Sequence, residues 1–465
     1  MKRNRLEEIS SLFAEEVYEH LTEHQDFAKT EHAMMQKMNQ VVCQSIETAF
    51  RRFDDTLALT RPDHLKIKGK VSRSILTLSG PVRLRRRRYT DTYSGKTLNL
   101  ADVVLDIEPS DKITARVASV VTRFALDASY QTAADVLEIY SGHRISRPCV
   151  KSILERSSTI LKAQRDKKDF SGTRKVDKLC CEADGTHVAL QQRHIPKSKR
   201  KKKSKEVHVA VIYEGKRQNK NNTKSRINTH FLATQGHSDE LWDVTERYID
   251  ATYDTTHVKR AYLGVDGASW CAKGADVLPG TVKVGYDLWH VHRIIKGAAT
   301  REIASEIIAV LNRKGIASCI ECIKNYSGFF DATDTEHRLD ELISFFAKYE
   351  DMIRCGLRYN LGTIEGTNAH LIGSRLKNFG GGWSPAGIEA MVTLRAARAS
   401  GEDIPLIRPS VTINDEPLDE GQPTSPKSDT TYRSLYNNTV EYYHQAKIAW
   451  ENESCKIKHN MAQVY

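Results

Sequence analysis

The chain has 465 residues, enough for two to four domains, and its 28% charged and 40% apolar residues are an ordinary globular balance that excludes disorder over most of its length. Its net charge of +11 is unevenly distributed: residues 61–96 carry +9 and residues 193–226 carry +11, leaving the remaining 395 residues at −9. Two basic patches on a mildly acidic body are the electrostatic footprint expected of a protein that binds a polyanion. No run approaches the ~18 apolar residues of a membrane span, and the start, MKRNRLEEISSLFAEEVYEHL, has no apolar core followed by a cleavage site. Nine cysteines form no disulfide framework, and their odd number fits a reducing compartment. The expectation is a cytoplasmic protein, nucleoid-associated when bound to DNA, with no membrane partner.

In chain order, residues 1–60 read as an N-terminal helical region, with Leu6, Ile9, Phe13, Val17 and Leu21 at helical spacing. Residues 61–170 read as a basic DNA-binding region. Within it, residues 72–90 predict a β-hairpin turning at Ser79-Gly80-Pro81, and its second run carries Arg83, Arg85, Arg86, Arg87 and Arg88. Residues 127–160 contain two helical patterns separated by Ser141-Gly142-His143-Arg144, with Ser146 as N-cap and Pro148 in the first turn of the second. This is the layout of a helix-turn-helix, with Arg147 and Lys151 as DNA-contacting residues; a plain αα-hairpin fits nearly as well.

From residue 178 the pattern changes to strands, at 178–190, 206–214 and 229–234. A helix follows from 239 to about 253, then a strand at 260–265, a short helix near 271–277 and a strand at 281–286. That order predicts an α/β domain around a mixed five-stranded sheet, spanning 175–400, with a helical insertion at about 288–358. The lysine-rich run Lys199, Arg200, Lys201, Lys202, Lys203 falls on the connection between the first two strands, where it can reach phosphates. Residues 402–432, with five prolines, read as a flexible linker and 433–465 as a C-terminal helix.

Two acids sit where chemistry would place them. Asp184 lies within the first strand, in CEADGTHV, and Asp266 ends the fourth, in YLGVDGASW. With the first and fourth strands side by side, the carboxylates approach one another. An unpaired buried carboxylate is costly, and divalent ions resolve that cost. Two such ions would clamp the attacking and leaving oxygens of a phosphoryl displacement. The competing reading, an aspartate in an ordinary Asp-Gly turn, is weaker for two matching positions than for one.

These residues resemble the bacterial insertion-sequence transposases of the ISLre group, which are DDE enzymes. The similarity is carried by CEADGTHVALQ, VIYEGK, GVDGASW, DLWHVHR and YNLGTIEGTNAHLIGSRLKNFGGGWSPAGIEAM, together with LTLSGPVRLRRRRY in the hairpin. The resemblance implies a ribonuclease-H-like catalytic domain with a helical insertion, preceded by a mainly helical DNA-binding region containing the β-hairpin. It implies Asp184, Asp266 and Glu365 as catalytic and metal-holding residues with two Mg²⁺ or Mn²⁺ ions. Asp287 and His290 would be accessory, matching an Asp-x-x-His element. Arg375 and Lys377, downstream of Glu365, would hold phosphates. The implied activity is cleavage of the ends of an insertion sequence followed by strand transfer, by a homo-oligomer on double-stranded DNA. Two rivals share some of these features: a ribonuclease-H-like nuclease without strand transfer, and a non-catalytic helix-turn-helix DNA-binding protein. Cys319-x-x-Cys322 has no second pair at zinc spacing, and no Gly-Lys-Ser/Thr follows the glycines at 380–382, so no nucleotide cofactor is expected.

Overall fold

The computed structural model describes residues 2–108, 111–167, 171–191, 204–221, 224–327, 334–377 and 382–405. The lysine run 199–203 and nearly all of the proline-rich and C-terminal segments lie outside these residues. Two compact units are present, Met1–Ile153 and Leu154–Pro405. Among the described residues no helix is long and apolar enough to cross a membrane.

In the first unit the N-terminal helical region is two helices, α1 (Lys2–His24) and α2 (Phe27–Leu59). Gln25 between them adopts a positive φ of 46°, and the Asp26 side chain accepts the Lys29 amide to start α2. The apolar periodicity runs through this break, so spacing alone does not reveal it. The antiparallel strands β1 (Leu65–Thr77) and β2 (Gly80–Asp91) form the hairpin, and β3 (Thr97–Leu98) extends its sheet. Phe50 and Leu57 of α2 pack with Leu65, Ile75, Val82, Leu84, Tyr89 and Leu98 of this sheet to form a core. Helices α3 (Leu100–Val104), α4 (Ala115–Ala125) and α5 (Tyr130–Ser141) follow, and α6 (Arg147–Asp166) begins in this unit and runs on into the second from Leu154. Gly142 ends α5 in the left-handed conformation, and the Ser146 hydroxyl accepts the Cys149 amide at the start of α6. Arg147 is exposed and Lys151 half-buried.

The pleat of β2 divides its arginines. Arg83, Arg85 and Arg88 face solvent, whereas Arg86 shares the inward face with Val82 and Leu84. Its Nε lies 2.7 Å from Asp102 Oδ2, and Asp102 is buried; burial pushes this carboxyl up, against the pull of Arg86 and Arg73. Arg87 bridges Asp54 and Asp55 of α2, each at 2.7 Å. Arg86 and Arg87 therefore tie the hairpin to its helices. Asp102→Ala, which strands Arg86 in the interior, is expected to destabilise the first unit by about 3–5 kcal/mol. An unchanged urea midpoint would show the pair to be dispensable, and replacing both partners by apolar residues is expected to restore much of the loss.

The second unit contains the strands β4 (Lys178–Ala189), β5 (Ser204–Tyr213), β6 (Lys216–Gln218), β7 (Lys224–Arg226), β8 (His230–Thr234), β9 (Arg260–Val265) and β10 (Thr281–Tyr286). Five of them form one mixed sheet in the order β10-β9-β4-β5-β8. Strand β4 runs parallel to β9 and antiparallel to β5. The first and fourth strands of the sheet are thus neighbours. Helices α7 (Ser238–Thr252) and α8 (Ser269–Ala272) follow β8 and β9. Leu179, Cys181 and Ala183 project from one face of β4 into a core with Leu241, Trp242 and Ile249 of α7. The opposite face of β4 presents Glu182 and Asp184. Strands β6 and β7 form a separate hairpin that has no counterpart in the sequence-based strand order; its Lys, Arg, Asn and Gln residues show no apolar alternation.

After β10 come α9 (Leu288–Ala298), α10 (Arg301–Lys314), α11 (Ile316–Ser327), α12 (Asp334–Lys348) and α13 (Glu350–Tyr359). They enclose their own core of Val291, Ile295, Ile307, Leu311, Ile323, Leu342 and Phe346. Cys319 is buried in it, its thiol pushed up to about 12 by burial. The chain returns to the sheet through α14 (Ile364–Asn368), which continues as one π-helical stretch over Ala369–Lys377, and α15 (Pro385–Ala399) is the last helix among the described residues.

Candidate active site

Asp184 is 3% exposed near the middle of β4. Its Oδ1 accepts the Gly185 amide at 2.7 Å, and its Oδ2 accepts Asn368 Nδ2 at 2.8 Å. Asp266 follows β9 directly, and its Oδ1 accepts the Ala268 amide at 2.9 Å. Gly267 has φ +100°, and a Cβ there would stand 2.6 Å from the Tyr286 hydroxyl, so both conformation and space exclude a side chain beside this carboxylate.

His290 completes the group. One ligand atom from each of Asp184, Asp266 and His290 lies within 4.8 Å of the other two. The histidine is aimed by Asp287, the N-cap of α9, whose Oδ1 accepts the Trp289 amide at 2.7 Å and the His290 amide at 3.4 Å. His290 Nε2 lies 3.9 Å from Asp184 Oδ2, too far for a hydrogen bond, and makes none elsewhere. Burial opposes a charged imidazole, but Asp184, Asp287 and Asp266 outweigh it and hold the His290 pKa above its usual value. Asp287 is itself buried; desolvation, opposed by His290 and reinforced by Glu182, pushes its carboxyl up to about 6, and its Oδ2 is buried without a partner.

Glu365, in the first turn of α14, is not one of the three residues that the structure brings together. Desolvation and then the Asp184 charge raise its pKa, opposed by His290 and Lys377. The structure thus assembles Asp184, Asp266 and His290, with Glu365 close enough to Asp184 to feel its charge and Asp287 behind the histidine. Lys377 donates to the Thr186 hydroxyl, one position beyond Gly185 on β4. Arg375 is buried, its guanidinium 4.7 Å from the centroid of the Trp383 ring.

Glu182 is a buried acid beside the site that the sequence reading did not single out. It is fully buried two residues before Asp184, and this spacing puts both on one face of β4. Tyr213 Oη donates to its Oε1 at 2.5 Å, and Oε2 accepts the amides of Thr363 at 2.7 Å and Gly362 at 3.2 Å. Lys216 Nζ lies 3.4 Å from Oε1. Burial would raise this carboxyl, yet Lys216, Arg226 and the Tyr213 and Thr363 hydrogen bonds pull it below the ordinary glutamate value. The loop before Glu365 is therefore fastened to the strand that carries Asp184. Gly362 makes this possible: its φ is +123°, and a Cβ would meet Asp287 Oδ1 at 2.7 Å.

Two aspartates and an imidazole converge here, and among the described residues neither aspartate is paired with a lysine or arginine. A divalent cation fits such a donor set: oxygen ligands suit Mg²⁺ or Mn²⁺, and the added imidazole nitrogen extends the range to softer first-row ions.

The model of the uncharacterised protein family UPF0236 matches residues 20–408. The chain belongs to this family. No curated protein matches the sequence. Among solved structures, a UPF0236 chain of this sequence is similar to the Drosophila P element transposase strand transfer complex, at 10% identity over 61% of this chain and 78% of that one. The TM-score is 0.22, at which the likeness does not establish a shared fold.

Proposed function

We propose that this UPF0236 protein is a DDE transposase of the ISLre type with a ribonuclease-H-like catalytic unit. It would bind the ends of an insertion sequence and carry out metal-dependent strand cleavage and strand transfer. The observation that carries the reading is the convergence of Asp184 and Asp266, from neighbouring parallel strands, with His290 and without a neutralising lysine or arginine.

Asp184, Asp266 and Glu365 would hold Mg²⁺ or Mn²⁺, with His290 as an adjacent donor. The bound metal supplies charge stabilisation for phosphoryl transfer and lowers the pKa of a water. The chain's own residues do the positioning. Asn368 orients the Asp184 carboxylate through Oδ2, Asp287 sets the start of α9 and with it His290, and Glu182 holds the loop that precedes Glu365. Arg83, Arg85 and Arg88 offer exposed charge for duplex DNA, joined by Arg147, Lys151 and the 199–203 run. Arg86, Arg87 and Arg375 support their own elements. A homo-oligomer on DNA, acting in the nucleoid, completes the proposal. The rival nuclease reading shares the acids and differs in lacking joined products.

The test is incubation of the purified chain with labelled duplexes carrying the ends of its own element, in Mg²⁺, in Mn²⁺ and in EDTA. Nicks at the element boundary, then joined products, both lost in EDTA, are expected. Nicks without joined products would favour the nuclease. No metal-dependent nick would refute both readings.

A further inference from the structure

Behind the helix that carries Glu365 lies a basin of about 970 Å³ with five basic side chains in its wall: Lys216 of β6, Lys224 and Arg226 of β7, and Arg395 and Arg398 of α15. None of its described lining residues is acidic. Its floor is formed by Thr363, Gly366, Thr367 and His370, which recur at three- and four-residue spacing along one face of α14 and its π-helical continuation. Asn368, on another face of that helix, reaches Asp184. The basin and the carboxylate group thus lie on different sides of one helix, whose thickness is about 10–12 Å.

Two of the cations are held rigidly by uncharged groups. Arg226 donates to the hydroxyls of Thr363, at 2.6 and 3.0 Å, and of Thr367, at 2.9 Å. Arg395 donates to the carbonyls of Leu371 and His370 and to the Ser374 hydroxyl. This wall is cationic, with the Phe231 and His370 rings interspersed, the combination found where single strands bind by phosphate contacts and base stacking.

We propose that this basin binds a single-stranded segment of DNA, holding its phosphates on Lys224, Arg226 and Arg398 while bases stack on Phe231 and His370; Lys216 is committed to Glu182. The inference rests on the transposase reading and deepens it: a strand unpaired near the cleavage point would be held on the back of the Glu365 helix. A free nucleotide offers the same phosphate chemistry, so the experiment separates the two.

Binding of a fluorescein-labelled single-stranded oligonucleotide to the full chain is followed by anisotropy in EDTA, across a salt series, for wild type and for Lys224→Gln/Arg398→Gln. The double variant is expected to bind more weakly, with a log–log salt slope shallower by about 1.4, two contacts at ~0.7 each for single strands. The charge-conserving pair Lys224→Arg/Arg398→Lys is expected to stay close to wild type. Should the double variant fail to fold, Lys224→Gln alone, at the exposed position of β7, is expected to lower the slope by about 0.7. An unchanged slope overturns the inference. So does displacement of the oligonucleotide by millimolar ATP, which would make the basin a free-nucleotide site. Because binding is read without metal, an inactive carboxylate site leaves this result intact, and a failed basin leaves the cleavage assay intact.

Discussion

Asp184→Asn and Asp266→Asn are each expected to abolish end cleavage while leaving end binding within a few-fold of wild type. The substitution keeps the shape of the side chain and removes the charge. Asp184 Oδ1 and Oδ2 accept from Gly185 and Asn368, and an amide preserves at most one of these contacts without rearrangement. Asp266 accepts from Ala268 through one oxygen, which an amide oxygen replaces directly. Asp266→Asn is therefore the cleaner test of charge, and a 10³-fold loss would correspond to about 4 kcal/mol of transition-state stabilisation. Glu365→Gln is expected to act in the same direction. A mutant of either aspartate that retains more than a small fraction of wild-type cleavage would sink the assignment. Loss of cleavage together with loss of binding would instead mean that the substitution disturbed the fold. Separate measurement of binding is thus essential to the reading.

These two acids were legible because each carries a local signal: an aspartate within or directly after an apolar strand, followed by glycine. The adjacency of β4 and β9 followed from the strand order. His290 was legible only as part of a four-residue pattern; its approach to acids 106 and 24 residues away depends on how α9 leaves β10, which Asp287 sets as the helix cap. The arginines of β2 show the opposite case. Their run reads as uniform charge, and only the pleat turns Arg86 inward to Asp102 while Arg83 and Arg85 stay outside; Arg88 is outside because the alternation shifts at the register irregularity opposite Ile67 and Gly69. The β6–β7 hairpin, built from polar residues, lacks the alternation that marks a strand and escaped notice. With it went the basic basin, whose wall joins residues 216–226 to 395–398.

Glu182 had a signal that composition hides. A glutamate inside CEADG reads as one more acid near a site, yet a fully buried carboxylate must have partners, and here they come from β5, β6 and the loop at 362–363. Glu182→Ala is expected to destabilise the second unit by about 3–5 kcal/mol, because it leaves half-buried Lys216 without its carboxylate and frees the Gly362 and Thr363 amides. Glu182→Gln keeps the size and some hydrogen bonds and is expected to cost less. Since the folded-state pKa is depressed, the carboxylate's contribution is fully present above the unfolded value of about 4.3 and is lost as pH falls through the folded value. Urea midpoints measured from about pH 3 to pH 7 should therefore show a gap between wild type and Glu182→Gln that closes on the acid side. Hydrogen exchange separates positioning from general support. If Glu182 fastens the loop before Glu365, the Gly362 and Thr363 amides in Glu182→Gln exchange faster while the amides of β4 and β9 keep their protection. Uniformly faster exchange across the sheet would reduce Glu182 to a stabilising group with no particular bearing on where Glu365 stands.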